Sequence, residues 1–238
     1  MTILRNIFFF FLFSYVFKTT FADTTDSGAS IVGDGGYAVV CSSGLRSPLV
    51  PEIRSVELLD LFEAQLNEKT NSTRVALGKE SESAVSLFAL IIERLGLRLN
   101  ISDSELNTVA RAGQEFLRLQ SDPWSSFSRI SNPQVLRVRG IHLSGSVERA
   151  LRRKGCYVAP IVVRPKYNAL VQSYSQRACQ LMKAQSGYCF FTDRELFREL
   201  KNSHKACLAL HEALRYLPET LRPRNDQELR LAVAEVCL

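Results

Sequence analysis

The sequence is short of several things that would declare a chemistry. It holds three His, two Met and a single Trp in 238 residues. His142, His204 and His211 are the whole supply of imidazole, so a metal centre or catalytic dyad has little to draw on. None of the six cysteines forms a CxxC pair, which removes the zinc ribbon and the thioredoxin-type redox site. GxSxG is missing, and with it the nucleophile elbow of the α/β-hydrolases. Twelve Gly and eight Pro are too few for a collagen-like or linker chain. After Phe17 no apolar run approaches the ~20 residues of a membrane span; the strongest, Leu87 to Ile92, is far shorter.

What is present reads first as an export signal. Arg5 precedes Ile7 to Phe17, a run that holds six of the fourteen Phe and is closed by Lys18. Thr20-Phe21-Ala22 then places small residues where a signal peptidase reads, so cleavage is expected before Asp23. The expected organisation is a signal peptide over 1–22, a flexible segment over 23–32 and one domain over 33–238. Loss of Arg5 and Lys18 lowers the net charge from +6 to +4. A secreted or periplasmic chain with no transmembrane segment after signal removal is the expected result.

Six cysteines in an exported chain read as disulfides. Cys207 and Cys237 lie on apolar faces of two helices joined by a Pro-containing turn, and these are expected to pair. Cys179 and Cys189 flank the Gln185-Ser-Gly turn, which leaves Cys41 with Cys156.

Periodicity predicts an α+β fold, mainly helical with a small sheet and stapled by disulfides. It is helical over 55–120 and mixed over 134–238. Gly33-Asp-Gly-Gly36 is a turn; it lacks the Lys-Ser/Thr of a phosphate loop. Strands are expected at Tyr37–Cys41, Gln134–Leu143, Cys156–Val163 and Tyr188–Phe191. Helices are expected at Ser55–Asn67, at Ser83–Leu95 as a central buried element, and from the capping box Ser102-x-x-Glu105 to Leu119. Thr192-x-x-Glu195, Asn202 and Asn225-x-x-Glu228 open three more.

Gly33-Asp-Gly-Gly, Val39-Val40-Cys41 and the Leu-rich Glu57–Glu63, together with Leu210-His211-Glu212-Ala213 near the C-terminus, resemble a family of exported Gram-negative bacterial proteins of unassigned function. The resemblance covers about two fifths of the chain beyond the signal. It implies export and a shared fold, and brings no activity with it.

Two segments carry the candidate sites. His211-Glu212 begins a zincin motif, but position 215 is Arg where the second imidazole should stand, so no metal or other cofactor is expected there. His211 shares a helix face with Cys207 and Leu214, which favours a structural role. The second segment is basic. Between Arg137 and Arg177 there are nine Lys/Arg against Glu148 alone, among them Arg137, Arg139, Arg149, Arg152, Arg153 and Lys154. Acidic residues between Glu52 and Glu68 are one means of neutralising them. Left unneutralised they suit an anionic polymer, an envelope component or an acidic protein. There is no specific nucleic-acid motif. The expected function is therefore a non-enzymatic binding or structural protein. The alternative is an exported hydrolase, metal-dependent or not, with a non-standard site around His211 and Glu212.

Overall fold

Strict alternation at Tyr37-Ala-Val-Val sets the layering. The computed structural model describes residues 36–42, 53–66, 81–98, 101–120, 126–127, 143–163 and 190–238, all within the compact unit Ile31–Leu238. In chain order the elements are β1 (Tyr37–Ser42), β2 (Ile53–Leu58), α1 (Leu59–Leu66), α2 (Ala84–Arg98), α3 (Asp103–Leu119), β3 (Ser126–Phe127) and α4 (Gly145–Lys154). There follow β4 (Cys156–Pro160), β5 (Val162–Val163), β6 (Phe191–Asp193), α5 (Arg194–Glu199), α6 (Asn202–Ala213), a 3-10 turn at Leu214–Tyr216 and α7 (Asp226–Cys237). The fold is α+β, mostly helical, with a three-stranded antiparallel sheet in the order β2-β1-β4. A smaller sheet, β3-β6-β5, lies beside it in the chain's second half.

Because β1 is central, both its faces are covered. Ala38 and Val40 face the main core of α2, α3, α6 and α7 side chains. Tyr37 and Val39 face a smaller cluster made by Leu59 and Phe62 of α1 with Val147 and Leu151 of α4. This period of two is what a strand imposes.

Helix α6 is the hub. Every residue from Ala206 to Ala213 is buried, and the small side chains of Ala206, Ala209 and Ala213 let neighbouring helices approach. The expectation that Ser83–Leu95 is the central helix is corrected here. α2 buries Leu87, Phe88, Ile91 and Leu95 on one face, while Val85 and Leu97 are 55% and 83% exposed among the described residues. Hydrophobicity on most sides of α2 therefore does not mark a helix surrounded by neighbours.

Three boundaries differ from expectation. Ser55–Leu58 belongs to β2, not to the following helix, because Val56 pairs with Val40 and alternates with Leu58 into the core. The run Cys156–Val163 is two strands, broken at Ile161, where Ile161 and Val162 both donate to the Gly36 carbonyl. Asp193 rather than Thr192 caps α5: its carboxylate accepts from Leu196 N–H at 3.0 Å, while Thr192 lies within β6. The box at Ser102 and Glu105 forms as expected. The expected strand Gln134–Leu143 lies, but for Leu143, outside the described residues; of Tyr188–Phe191, Tyr188 and Cys189 lie outside them, Phe190 is not in a strand and Phe191 opens β6.

Two disulfides staple these layers. Cys41–Cys156 joins register partners of β1 and β4, and Cys207–Cys237 ties α6 to α7. Cys179 and Cys189 lie outside the described residues. No helix among the described residues is long and apolar enough to cross a membrane.

Candidate functional site

A helix as buried as α6 must find partners for any polar side chain it carries. His211 and Glu212 are its polar residues at the core, and both are satisfied by other buried groups. His211 Nδ1 lies 2.7 Å from Asp60 Oδ2 of α1, and His211 Nε2 lies 2.9 Å from the Arg215 guanidinium. Guanidinium only donates, so Nε2 accepts, and Nδ1 carries the proton that is donated to Asp60. Glu212 Oε1 accepts from the Gly36 N–H at 2.8 Å, and its Oε2 stands 3.8 Å from Arg215 Nε. The result is a buried polar chain linking α1, α6 and the start of β1. Asp60 contributes a second oxygen, Oδ1, that has no hydrogen-bond partner among the described residues.

Gly36 makes the last link possible. A Cβ there would stand 2.1 Å from Leu208 Cδ1 and 3.6 Å from Glu212 Oε1, so only glycine lets the strand start lie this close to α6. The Gly-rich turn and the Leu-His-Glu-Ala helix, the two ends of the resemblance noted in the sequence, thus meet at one hydrogen bond.

An imidazole oriented by a carboxylate is the frame of a general base. Here the lone pair that would accept a proton is held by Arg215, and His211 is 0% exposed. In this arrangement the group fastens three elements. His204, one of the few other imidazoles, is placed differently. Its Nδ1 accepts from Leu58 N–H at 3.2 Å where β2 passes into α1. Burial, aided by the nearby Lys201 charge, lowers its pKa to about 4, so it is neutral at ordinary pH. His142 lies outside the described residues. Among the described residues no three His, Cys, Asp or Glu side chains gather as they would to hold a metal.

A second polar group lies at the α1–α7 contact. Arg230 donates to Glu63 at 2.6 Å and also to Asp226. Burial raises the Glu63 pKa; Arg230 opposes that shift and the negative charge of Asp60 adds to it.

The basic segment resolves in part. α4 forms over Gly145–Lys154, capped by Ser144 and ended by Gly155 in the left-handed region at φ 66°. Val147 and Leu151 point inward, so Arg149, Arg152 and Arg153 occupy the opposite, exposed face at i, i+3 and i+4. Arg149 reaches back to the Gly145 carbonyl, and Lys154 sits 5.1 Å over the Phe62 ring. α1 does approach α4, but its Glu63 is committed to Arg230. Among the described residues no carboxylate forms an ion pair with Arg149, Arg152 or Arg153. Arg137 and Arg139 lie outside the described residues.

Sequence reasoning missed Asp60, Glu63 and Arg230. The signal for Asp60 was there: a lone acid inside Leu58-Leu-Asp-Leu-Phe62, on a face that otherwise packs. Comparison with protein-family models, curated proteins and solved structures yields no match.

Proposed function

We propose that the protein is a non-enzymatic binding protein of the cell exterior or periplasm whose α4 face engages an anionic partner. The observation that carries this is the outward row of Arg149, Arg152 and Arg153, exposed and free of ion pairs with carboxylates among the described residues. Cations in the last turn of α4 also complement the helix dipole, which accounts for Arg152, Arg153 and Lys154 in part. Arg149 lies outside that turn, and the dipole gives it no role. Helix α4 is a firm platform, held from below by Val147 and Leu151 and fixed to β1 through Gly155 and the Cys41–Cys156 bridge. Disulfides of this kind belong to oxidising compartments, which supports export.

Retention on a polyanion matrix tests the reading. The protein is expected to bind at low salt and elute near ~0.15 M ionic strength, because exposed cations are screened and counterion release weakens with salt. Reversal of Arg149, Arg152 and Arg153 to Glu should abolish retention and leave the circular dichroism spectrum unchanged. Elution of the triple variant at the parent's salt concentration defeats the proposal. A hydrolase built on His211 and Glu212 would first need Arg215 to leave Nε2 and the core to open around it.

A further inference from the structure

Three guanidinium groups share little more than one turn of α4. Arg149, Arg152 and Arg153 are all exposed, and their i, i+3 and i+4 spacing sets neighbouring Cβ atoms about 5–6 Å apart along the helix. All three are Arg rather than Lys. A guanidinium presents a rigid planar fork of N–H donors, whereas an ammonium is a compact point charge. Arg149 Nε is given to the Gly145 carbonyl at 3.0 Å, which lays that side chain along the helix and leaves its two Nη groups without a partner among the described residues. Glu148 is the only acid of α4, and among the described residues no ion pair joins it to Arg152 one turn on. The face therefore offers several forks within reach of one ligand group. A planar carboxylate has a single pair of oxygens, and one fork takes both. A phosphomonoester has three acceptor oxygens and a charge of about −1.5 to −2 at neutral pH, so it can accept from two guanidinium groups at once. The exposed residues of α4 include no apolar side chain, so this face has nothing to insert into lipid.

We infer that the partner of α4 is a hydrophilic polymer bearing phosphomonoester groups, each phosphate taking the Nη pair of Arg149 together with the fork of Arg152 or Arg153. This rests on α4 being the anion-binding face, and narrows its partner from any polyanion to a phosphate. Charge alone brings a polyanion to the helix; the paired forks decide which anion stays.

Retention of the intact protein at neutral pH on phosphocellulose, carboxymethyl cellulose and sulfopropyl cellulose, matched in charge per volume, tests the inference. At one fixed low salt concentration phosphocellulose should be favoured about three- to fivefold, the size of one further exposed ion-pair contact. The triple variant Arg149→Lys, Arg152→Lys, Arg153→Lys keeps the charge and loses the forks. It should stay on all three matrices while its preference for phosphate disappears. A parent with no preference for phosphocellulose, or a Lys variant that keeps the full preference, overturns the phosphate assignment and leaves the polyanion reading standing. A parent that none of the matrices holds at low salt defeats both. Vesicles containing phosphatidic acid present the same phosphomonoester on a bilayer. Binding to them at equal accessible phosphate should be no tighter than to phosphocellulose; tighter binding overturns the polymer in favour of a membrane surface.

Discussion

At the scale of single residues, burial gives the imidazoles opposite tasks. His211 is fixed between an acid and a guanidinium, whereas His204 has a backbone N–H for its partner and Lys201 for an unfriendly neighbour. His204 should therefore make stability depend on pH. Its folded pKa of about 4 lies below the ordinary 6.5, so the unfolded chain binds the proton first. Stability is complete above pH 6.5 and falls as pH drops toward 4, below which both states are protonated and the loss levels off. The gap corresponds to about 3 kcal/mol. Chemical denaturation of parent and His204→Asn between pH 7 and 4 checks this, since Asn keeps an acceptor near Nδ1 but does not titrate. The parent should lose about 3 kcal/mol more than the variant over that range; parallel curves would show that His204 is solvated. Gly36 allows an equally direct test. Gly36→Ala drives Cβ into Leu208 and weakens the Glu212 contact, and should lower stability by roughly 2–4 kcal/mol in the same denaturation measurement.

At the scale of elements, α6 and α7 form one stapled unit. Cys207–Cys237 closes 30 residues of sequence separation, for which the chain-entropy treatment gives ~3–4 kcal/mol. Replacing both cysteines by Ser should lower the free energy of unfolding by about that amount with the spectrum intact. Leu214, in the turn after α6, is 1% exposed, so Leu214→Ala should cost ~2–5 kcal/mol. A thermal midpoint unmoved by that substitution would mean that the helix face is misassigned. Elements of this kind were legible in the sequence because their determinants are local. Ser102 and Glu105, Asn225 and Glu228, and the Leu229-Val233-Val236 stripe announce helices by spacing alone. β2 was not legible. Val56, Leu59 and Phe62 fit a helical period as well as Val56 and Leu58 fit a strand, and the decision comes from pairing with β1.

At the scale of the whole molecule, the α+β character and the disulfides Cys41–Cys156 and Cys207–Cys237 could be read from composition, patterning and chain order. The polar chain could not. Sequence spacing showed that Arg215 spoils a zinc site and can reach Glu212, but nothing local says that Asp60 meets His211. That contact spans 151 residues; Gly36 to Glu212 spans 176, and Glu63 to Arg230 spans 167. Each joins the beginning of the described fold to its end. This has a temporal consequence for a chain made with its N-terminus first. β1, β2 and α1 emerge early, yet the helix that covers β1 and neutralises no small part of its polar surroundings is among the last pieces delivered. Until then Ala38, Val40 and Leu58 have no lid, and the Asp60 and Glu63 carboxylates have no counterpart. Long-range closure of this sort is slow and leaves apolar surface open to aggregation. A nascent chain halted before Asn202 should be cut readily by protease and should bind hydrophobic dyes, whereas release of the final 37 residues should confer resistance in one step. The late arrival of α6 makes folding a terminal event, completed only when nearly the whole polypeptide is free.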